Sequence, residues 1–152
     1  MIFIRAATAV DQKAITQLVR SARINPFGLH WPRFIVAEAA GQLVGVGQIK
    51  ILGDGTPELA SIAVTPACQG LGIGGAIVET LIARAAGPLY LRCASHNESY
   101  YPRFGFRTLT PKEMPGNLAR TYRIANRVMQ VINWFTGSQG QLLIMGIHIE
   151  GK

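Results

Sequence analysis

The residues best suited to chemistry in this sequence form a glycine-rich turn, QGLGIGG, at positions 69–75. The turn lies between a strand predicted to end at Val64 and a helix predicted to begin near Ile73. Glycines let a backbone approach a ligand closely, and the open amide groups at a helix start favour an anion such as pyrophosphate. The turn therefore predicts a phosphate-binding site. The alternative is a strand-to-helix connection whose glycines serve tight packing alone.

Two cofactor patterns fit this turn. Gly70, Gly72 and Gly75 match the G-x-G-x-x-G pattern of dinucleotide-binding folds, and Arg92 lies at about the distance expected of a residue that contacts a ribose or a 2′-phosphate. Such folds carry the turn after their first strand, whereas a helix and three strands come first here. This order favours the second pattern, Q-x-x-G-x-G, which begins at Gln69.

Positive charge is concentrated in the second half of the chain. The net charge is +7, and the segment from Arg92 to Arg127 holds seven cations but only Glu98 and Glu113 as carboxylates. A phosphate-rich cofactor, an acidic substrate and nucleic acid all satisfy such a field. Because no nucleic-acid-binding motif occurs and the arginines are not interleaved with aromatic residues, nucleic acid is not the expected partner.

A regular succession of predicted elements positions these residues. Strands are expected at 2–5, 33–39, 42–52, 58–64, 88–93, 105–109 and 140–149, and helices after Thr8, from about 73 to 86 and at 118–135. Residues 96–103 are interpreted as a short helix or turn, and 112–117 as a loop. The order predicts one mixed sheet with helices packed on it, an α+β fold or α/β sandwich.

Length and composition favour one folded domain over residues 1–152. Apolar residues make up 49% and charged residues 15% of the chain, which excludes disorder. No apolar run approaches the roughly 18–20 residues of a membrane span and no secretory leader is visible, so no membrane partner is expected. Cys68 and Cys93 are expected to be small buried thiols without metal-ligand spacing, which predicts a cytoplasmic protein.

Two segments resemble the motifs of the GNAT superfamily of acetyl-CoA-dependent N-acetyltransferases. In ELASIAVTPACQGLGIGG a strand ends in Ala-Val, a proline follows two residues later, and Gln69, Gly72 and Gly74 open a helix. In HNESYYPRFGF an asparagine precedes Tyr101, which lies four residues before a Gly-Phe pair. The resemblance covers about residues 2–109 and implies a mixed, mostly antiparallel sheet with helices on both faces.

The resemblance also implies acetyl-CoA as cosubstrate, no metal, and direct transfer of the acetyl group to a primary amine. It assigns the pantetheine arm to Ile62, Ala63, Val64 and Asn97, and the pyrophosphate to the amides of Gly70, Leu71, Gly72, Ile73, Gly74 and Gly75. Gln69 is a further cofactor-binding residue of the same motif. An alternative role for Asn97 is to cap the short helix that follows it.

Tyr101 and Glu58 are the candidate catalytic residues. The phenol of Tyr101 has an ordinary pKa of about 10, above the roughly 8.5 of a thiol, so it stays protonated and can donate to the departing sulfur. Its alternative role is that of a packed core aromatic, and Tyr100 is its neighbouring rival. Glu58 begins the central strand, where one branch of the family carries a general base; an ordinary solvated glutamate is the alternative.

The acceptor-side residues come from two other segments. Trp31 and Arg33 occupy the region that usually lines the acceptor groove in the family, although Trp31 fits a core position equally well. Residues 110–140 form a helical insert before the last strand, similar to the tail of amino-acid N-acetyltransferases, including N-acetylglutamate-synthase-like members. Arg123 shares a helical face with Arg120 and Arg127, which suits a substrate carboxylate or a solvated cationic face.

The expected acceptor is therefore a small amine, with amino-acid-like molecules among the candidates. A protein or peptide amino group is the alternative, and a basic, non-catalytic CoA- or nucleic-acid-binding module is a further one. A homodimer is also considered, because an exposed closing strand would pair across two copies.

Overall fold

The computed structural model describes residues 1–149. Within them the chain forms seven strands and three α-helices. They are β1 (Ile2–Ala6), α1 (Gln12–Ser21), β2 (Phe34–Ala39), β3 (Gln42–Ile51), β4 (Pro57–Val64), α2 (Ile73–Arg84), β5 (Leu89–Ala94), β6 (Arg107–Thr108), α3 (Gly116–Thr136) and β7 (Leu142–Ile147). Each strand and helix predicted from the sequence is present. The segment interpreted from the sequence as a short helix or turn, residues 96–103, contains two short 3-10 turns. α3 begins two residues before its predicted start.

The strands form one mostly antiparallel sheet in the order β1-β2-β3-β4-β5-β7-β6. β4 pairs with β5 in parallel, where Glu58 faces Tyr90, and β7 pairs antiparallel with both β5 and β6. The α+β class predicted from the element order is confirmed. The expectation of an exposed closing strand is wrong, because β7 lies between β5 and β6 in the sheet, and β6 pairs with Met145 and Gly146.

The chain divides into two compact units, the first of which comprises residues 1–50 and 59–86. Val46 of β3 belongs to the same buried cluster as Ile15 and Val19 of α1. A Cβ atom on the next residue, Gly47, would lie 2.6 Å from the Ile77 side chain of α2. Successive strand residues point to opposite faces, so α1 and α2 cover opposite faces of β3, as the resemblance implies.

The second unit comprises residues 51–58 and the chain from residue 87 onward. Leu118, near the start of α3, is fully buried with Leu109, Met114 and Ile144. Further along the helix, polar bonds replace apolar contacts. The Asn126 side chain bonds both the amide and the carbonyl of Leu142, at 2.9 and 3.1 Å, and Asn133 donates to the Gly140 carbonyl at 2.8 Å.

The single domain over residues 1–152 stays a prediction, and its last three residues lie outside the described part of the chain. Among residues 1–149, no helix combines the length and the apolar character that crossing a membrane requires.

Candidate functional site

The start of α2, in the first unit, is an open helix end. Gly72 is the residue that precedes the helix, has a φ of 81°, and offers no side chain to cap it. The Ala76 amide donates to the Gly72 carbonyl at 3.1 Å, so the amides of residues 73–75 precede the ladder of hydrogen bonds within the helix. These donors and the positive end of the helix dipole suit an anion.

The glycines of this turn are required by backbone conformation rather than by packing. Gly70 and Gly72 both have φ near 80°, a region that other residues enter only with strain. A Cβ atom on either glycine would meet no atom within 4 Å. The tight-packing alternative is therefore wrong at these two positions, and the space beside the backbone is free for a ligand.

Gln69 closes the connection between β4 and the open turn. Its side-chain nitrogen donates to the Val64 carbonyl at 3.1 Å, and the 3-10 turn Pro66–Cys68 lies between the two residues. Among the other strand residues assigned to the cofactor, Ala63 is buried and Ile62 is half-buried. The Cys68 thiol is half-buried, not buried as expected, because it lies in this surface turn; Cys93 is buried as expected.

Sequence reasoning missed a backbone irregularity inside β4. Ser61 has a φ of 58°, in the left-handed region, although it lies inside the strand β4. The side-chain amide of Gln48, fully buried on β3, donates to the Ser61 hydroxyl at 2.8 Å and to the Gly28 carbonyl at 3.2 Å. Such a residue interrupts the regular extended backbone of the strand. Serine carries no signal for positive φ; the only hint was a glutamine within the apolar run of β3.

Side chains from α1 and β3 hold the segment before β2 in place through hydrogen bonds. Three successive carbonyls, those of Phe27, Gly28 and Leu29, accept hydrogen bonds from Lys50, Gln48 and Gln12, at 2.9, 3.2 and 2.7 Å. Trp31 is half-buried against the core cluster of this unit, and its amide donates to Gln12 at 2.9 Å, whereas Arg33 is exposed. Both roles considered for Trp31 stay compatible with this position.

Tyr101, in the second unit, begins the 3-10 turn Tyr101–Phe104. Its ring is half-buried and meets Tyr100 and Phe106 edge to face, with ring centres 5.1 and 6.1 Å apart. Burial raises the pKa of the Tyr101 phenol above its ordinary value of 10, and Cys93 and Tyr100 add to that rise. The hydroxyl therefore keeps its proton well above neutral pH, as a proton donor must.

Tyr100 is held differently from its neighbour. The Arg103 guanidinium lies 4.4 Å from the centre of the Tyr100 ring, and Arg103 also donates to the Tyr100 carbonyl at 2.8 Å. This cation–π contact gives Tyr100 a structural role in closing the turn.

Glu58 is not the solvated residue considered as an alternative. It is 1% exposed on β4, and both carboxylate oxygens accept hydrogen bonds from Arg92 on β5, at 2.5 and 2.9 Å. A buried carboxylate requires such a partner, which explains the pair. Arg92, considered above as a ribose- or phosphate-binding residue, is engaged by this carboxylate.

Asn97 is exposed and ends the first of the two 3-10 turns. The residue that precedes the second turn is Tyr100, and no side chain caps it. The capping role is therefore wrong, because the backbone carbonyl of Asn97, not its side chain, accepts the Tyr100 amide at 3.1 Å.

The three arginines of the insert lie together on α3. Arg120, Arg123 and Arg127 are exposed and, with Ile124, line a surface depression of about 220 Å³. Among residues 1–149 none of the three takes part in an ion pair, so their guanidinium groups face solvent as anion-binding groups would.

Comparison with known proteins gives the family. Residues 30–108, just over half of the chain, match the acetyltransferase (GNAT) domain family. The chain belongs to this family of acetyltransferase domains. This membership favours the Q-x-x-G-x-G pattern of the turn over the dinucleotide pattern. No curated protein sequence matches significantly.

Several solved structures are similar to the chain. N-acetylglutamate synthase from Neisseria gonorrhoeae, complexed with coenzyme A and N-acetyl-glutamate, is 20% identical over 99% of this chain and 36% of its own, with a TM-score of 0.75. Rv2747 from Mycobacterium tuberculosis, in complex with CoA and NLQ, is 23% identical over 97% and 99%, with a TM-score of 0.69. The ribosomal-protein-S18-alanine N-acetyltransferase from Escherichia coli is 20% identical over 100% and 96%, with a TM-score of 0.67. The chain spans about a third of the length of the synthase, and these likenesses establish the fold alone.

Proposed function

We propose that the chain transfers the acetyl group of acetyl-CoA to the primary amine of a small, carboxylate-bearing molecule. The observation that carries the proposal is the open start of α2, where two glycines of positive φ leave the helix amides accessible inside the segment that matches the family. Acetyl-CoA supplies a thioester and two adjacent phosphates, and residues 70–75 suit the phosphates by charge and by free space. Val64 and the strand residues before it bind the pantetheine arm, with Asn97 on the same arm.

Tyr101 then acts as the general acid. The new amide bond forms as the bond to sulfur breaks, and the departing sulfur takes the phenol proton of Tyr101. Because its pKa is raised, the phenol still carries this proton at neutral pH when the thiolate forms. Glu58 is the proposed base that removes a proton from the attacking amine, directly or through water. Its buried pairing with Arg92 must leave one lone pair of the carboxylate accessible for this role.

Kinetics of a matched pair of variants test the catalytic assignment. Tyr101→Phe should lower kcat about 10- to 1,000-fold with little change in the KM for acetyl-CoA, because only a proton donor is removed. Tyr100→Phe is the control and should change kcat far less. A larger loss of kcat in Tyr100→Phe than in Tyr101→Phe would show that Tyr100, not Tyr101, is the general acid. In the same experiment, Glu58→Gln should lower kcat because it removes the proposed base, whereas Arg92→Gln breaks the same ion pair but keeps the carboxylate and should lower kcat less.

The acceptor class rests on the cationic insert. Exposed arginines recognise carboxylates through paired hydrogen bonds and repel polyamines, and two similar structures hold N-acetyl-glutamate or NLQ. Thiol release from acetyl-CoA should therefore give a higher kcat/KM with glutamate or similar amino acids than with spermidine. Arg123→Ala should lower the value for glutamate and leave that for spermidine unchanged or raised.

Two outcomes would replace the proposed acceptor. Efficient acetylation of a peptide with an N-terminal alanine, but not of free amino acids, would favour a protein amino group, in line with the similarity to the S18-alanine enzyme. Release of no thiol with any amine, together with salt-sensitive binding to nucleic acid, would favour a non-catalytic module. The cytoplasmic location also stays a prediction, supported by the free thiols of Cys68 and Cys93.

A further inference from the structure

The outward face of α3 carries a run of exposed apolar side chains, and of these only Ile124 also lines the depression that the proposed reaction assigns to the acceptor. The inward face is anchored by Leu118 and Tyr122, while the outward face exposes large side chains. They are Ile124 (59% exposed), Val128 (53%), Val131 (57%), Ile132 (45%), Trp134 (81%) and Phe135 (76%). The spacing of residues 124, 128, 131 and 135 places them in one stripe along the helix. We call these four residues the α3 stripe.

The charges of α3 are distributed unevenly along its length. Its arginines, Arg120, Arg123 and Arg127, fall in the first twelve residues, and the helix contains no acidic residue. The second half carries Trp134 and Phe135 and ends at Gly137, where the last carbonyls of the helix give a partial negative charge. One end of α3 is therefore cationic, and the other end offers aromatic rings and carbonyls, which attract cations.

We propose that α3 forms the interface of a homodimer, in which two copies of the helix pack antiparallel about a two-fold axis. The α3 stripe is self-complementary in this orientation. Ile124 faces Phe135 of the partner subunit, and Val128 faces Val131 of the partner subunit, so that the same patch serves both copies. The cationic half of each helix then lies beside the aromatic, carbonyl-bearing end of the other.

Two quantities favour a second copy as the occupant of this face. The six exposed side chains present on the order of 600–800 Å² per copy, at or above the roughly 300–600 Å² of the largest patch on a typical monomer, and the four residues of the α3 stripe supply the part that faces the partner subunit. A parallel pair would place three arginines against three, whereas the antiparallel pair separates them. An anionic lipid surface also suits cations and aromatics, but it does not account for the two-fold pattern of the stripe.

Sedimentation of the whole chain over a range of concentrations tests the dimer. The wild type should be dimeric at micromolar concentration, and Val131→Lys should weaken the dimer by about 100-fold or more, because α3 offers no acidic side chain to pair with the new charge. The control is Val10→Lys, at a valine that is 87% exposed before α1, and it should remain dimeric. Monomeric wild type, or a dimer indifferent to Val131→Lys, would overturn the proposal.

A second pair of variants guards against a folding effect of the new charge. Phe135→Ser should dissociate the dimer, and Phe27→Ser should not, although both phenylalanines are 76% exposed. Unchanged circular dichroism in all four variants shows that the fold is intact. Equal behaviour of the two serine variants would mean that apolar exposure in general, rather than the α3 stripe, drives association.

Cysteine cross-linking tests the orientation. In a Cys68→Ser background, the double variant Ile124→Cys/Phe135→Cys should form interchain disulfides when oxidised with diamide, because the two positions face each other across the axis. Each single variant should stay uncross-linked. Cross-linking of the Ile124→Cys variant alone would show a parallel pair and overturn the antiparallel arrangement. A monomer whose Trp134 emission shifts to the blue only on vesicles that contain phosphatidylglycerol would show a lipid surface instead.

Discussion

The chain enters the two helices of the first unit in opposite ways. The 3-10 turn Ala9–Asp11, directly before α1, is closed by side chains: Thr8 and Asp11 form a capping box, and Arg5 donates to both oxygens of Asp11 at 2.8 and 3.1 Å. α2 begins at a glycine, and no side chain caps it. At a capped end the amide groups donate hydrogen bonds within the fold, whereas at an open end they can donate to a ligand. The difference separates a helix entry closed by its own side chains from one whose amide groups stay open, within the same unit.

The two helices also differ in how they meet the sheet. α1 packs through ordinary apolar side chains, whereas α2 lies directly on two glycines of β3. A Cβ atom on Gly47 would come within 2.6 Å of Ile77 and 2.7 Å of Ile62. This close contact fixes α2, and with it the open end, against the strands.

The largest expected effect therefore concerns this contact. Gly47→Val should lower the free energy of unfolding by about 3 kcal/mol, because its side chain overlaps buried atoms that have no space to move. Urea denaturation measures the loss. The control is Gly87→Ala, where a Cβ atom would meet nothing within 4 Å and a change below about 1 kcal/mol is expected. A small loss at Gly47 would show that α2 can shift away from β3.

The next prediction concerns the open end itself. At a hundredfold excess over its dissociation constant, CoA or acetyl-CoA should stabilise the wild type by about 2.7 kcal/mol. Gly72→Asp should abolish this stabilisation, because the carboxylate repels the pyrophosphate and fills the space beside it. Thermal denaturation with and without CoA measures the effect.

Gly72→Asn is the matched control, since asparagine and aspartate tolerate positive φ to a similar degree. It should retain more of the CoA effect than Gly72→Asp does. NADPH should stabilise the wild type less than CoA. A larger effect of NADPH would contradict the assignment of the turn to CoA.

Sequence patterns predicted both helix starts, because capping residues and glycine clusters act over a few neighbouring positions. The strands followed from apolar runs and turns for the same reason. The Glu58–Arg92 pair could not be predicted, because it joins residues 34 positions apart across the parallel pairing of β4 and β5. The positive φ of Ser61 was hidden for another reason: tertiary contacts with Gln48 impose it on a residue type that carries no such preference.

The apolar surface of α3 escaped prediction as well. Periodicity identifies an amphipathic helix and assumes that its apolar side faces the core. In α3 the Asn126 and Asn133 side chains donate hydrogen bonds to the backbone carbonyls of Leu142 and Gly140. These polar bonds help to hold the helix in place, a role that apolar contacts usually have. The remaining apolar residues are left outside.

The smallest expected effect tests the closed start of α1. Hydrogen bonds from Arg5 lower the pKa of Asp11 from 3.8 to about 2, burial opposes this, and bonds from Thr8 add to it. Because the pKa is lower in the folded state, the stabilisation is complete above about pH 4 and is lost as the pH falls toward 2. It amounts to about 1–2 kcal/mol, since the Arg5 side chain is 37% exposed and solvent screens the pair.

Asp11→Asn should therefore lose stability at pH 6 and show a flatter decline between pH 4 and 2 than the wild type, as urea denaturation at each pH would show. Arg5→Met should flatten the decline in the same way, because Arg5 is the main cause of the lowered pKa. The CoA-induced stabilisation should be unchanged in both variants, whereas Gly72→Asp should lose that stabilisation and keep the acid decline. If Asp11→Asn also weakened the CoA effect, the two helix starts would be coupled, and the division into a structural end and a binding end would fail.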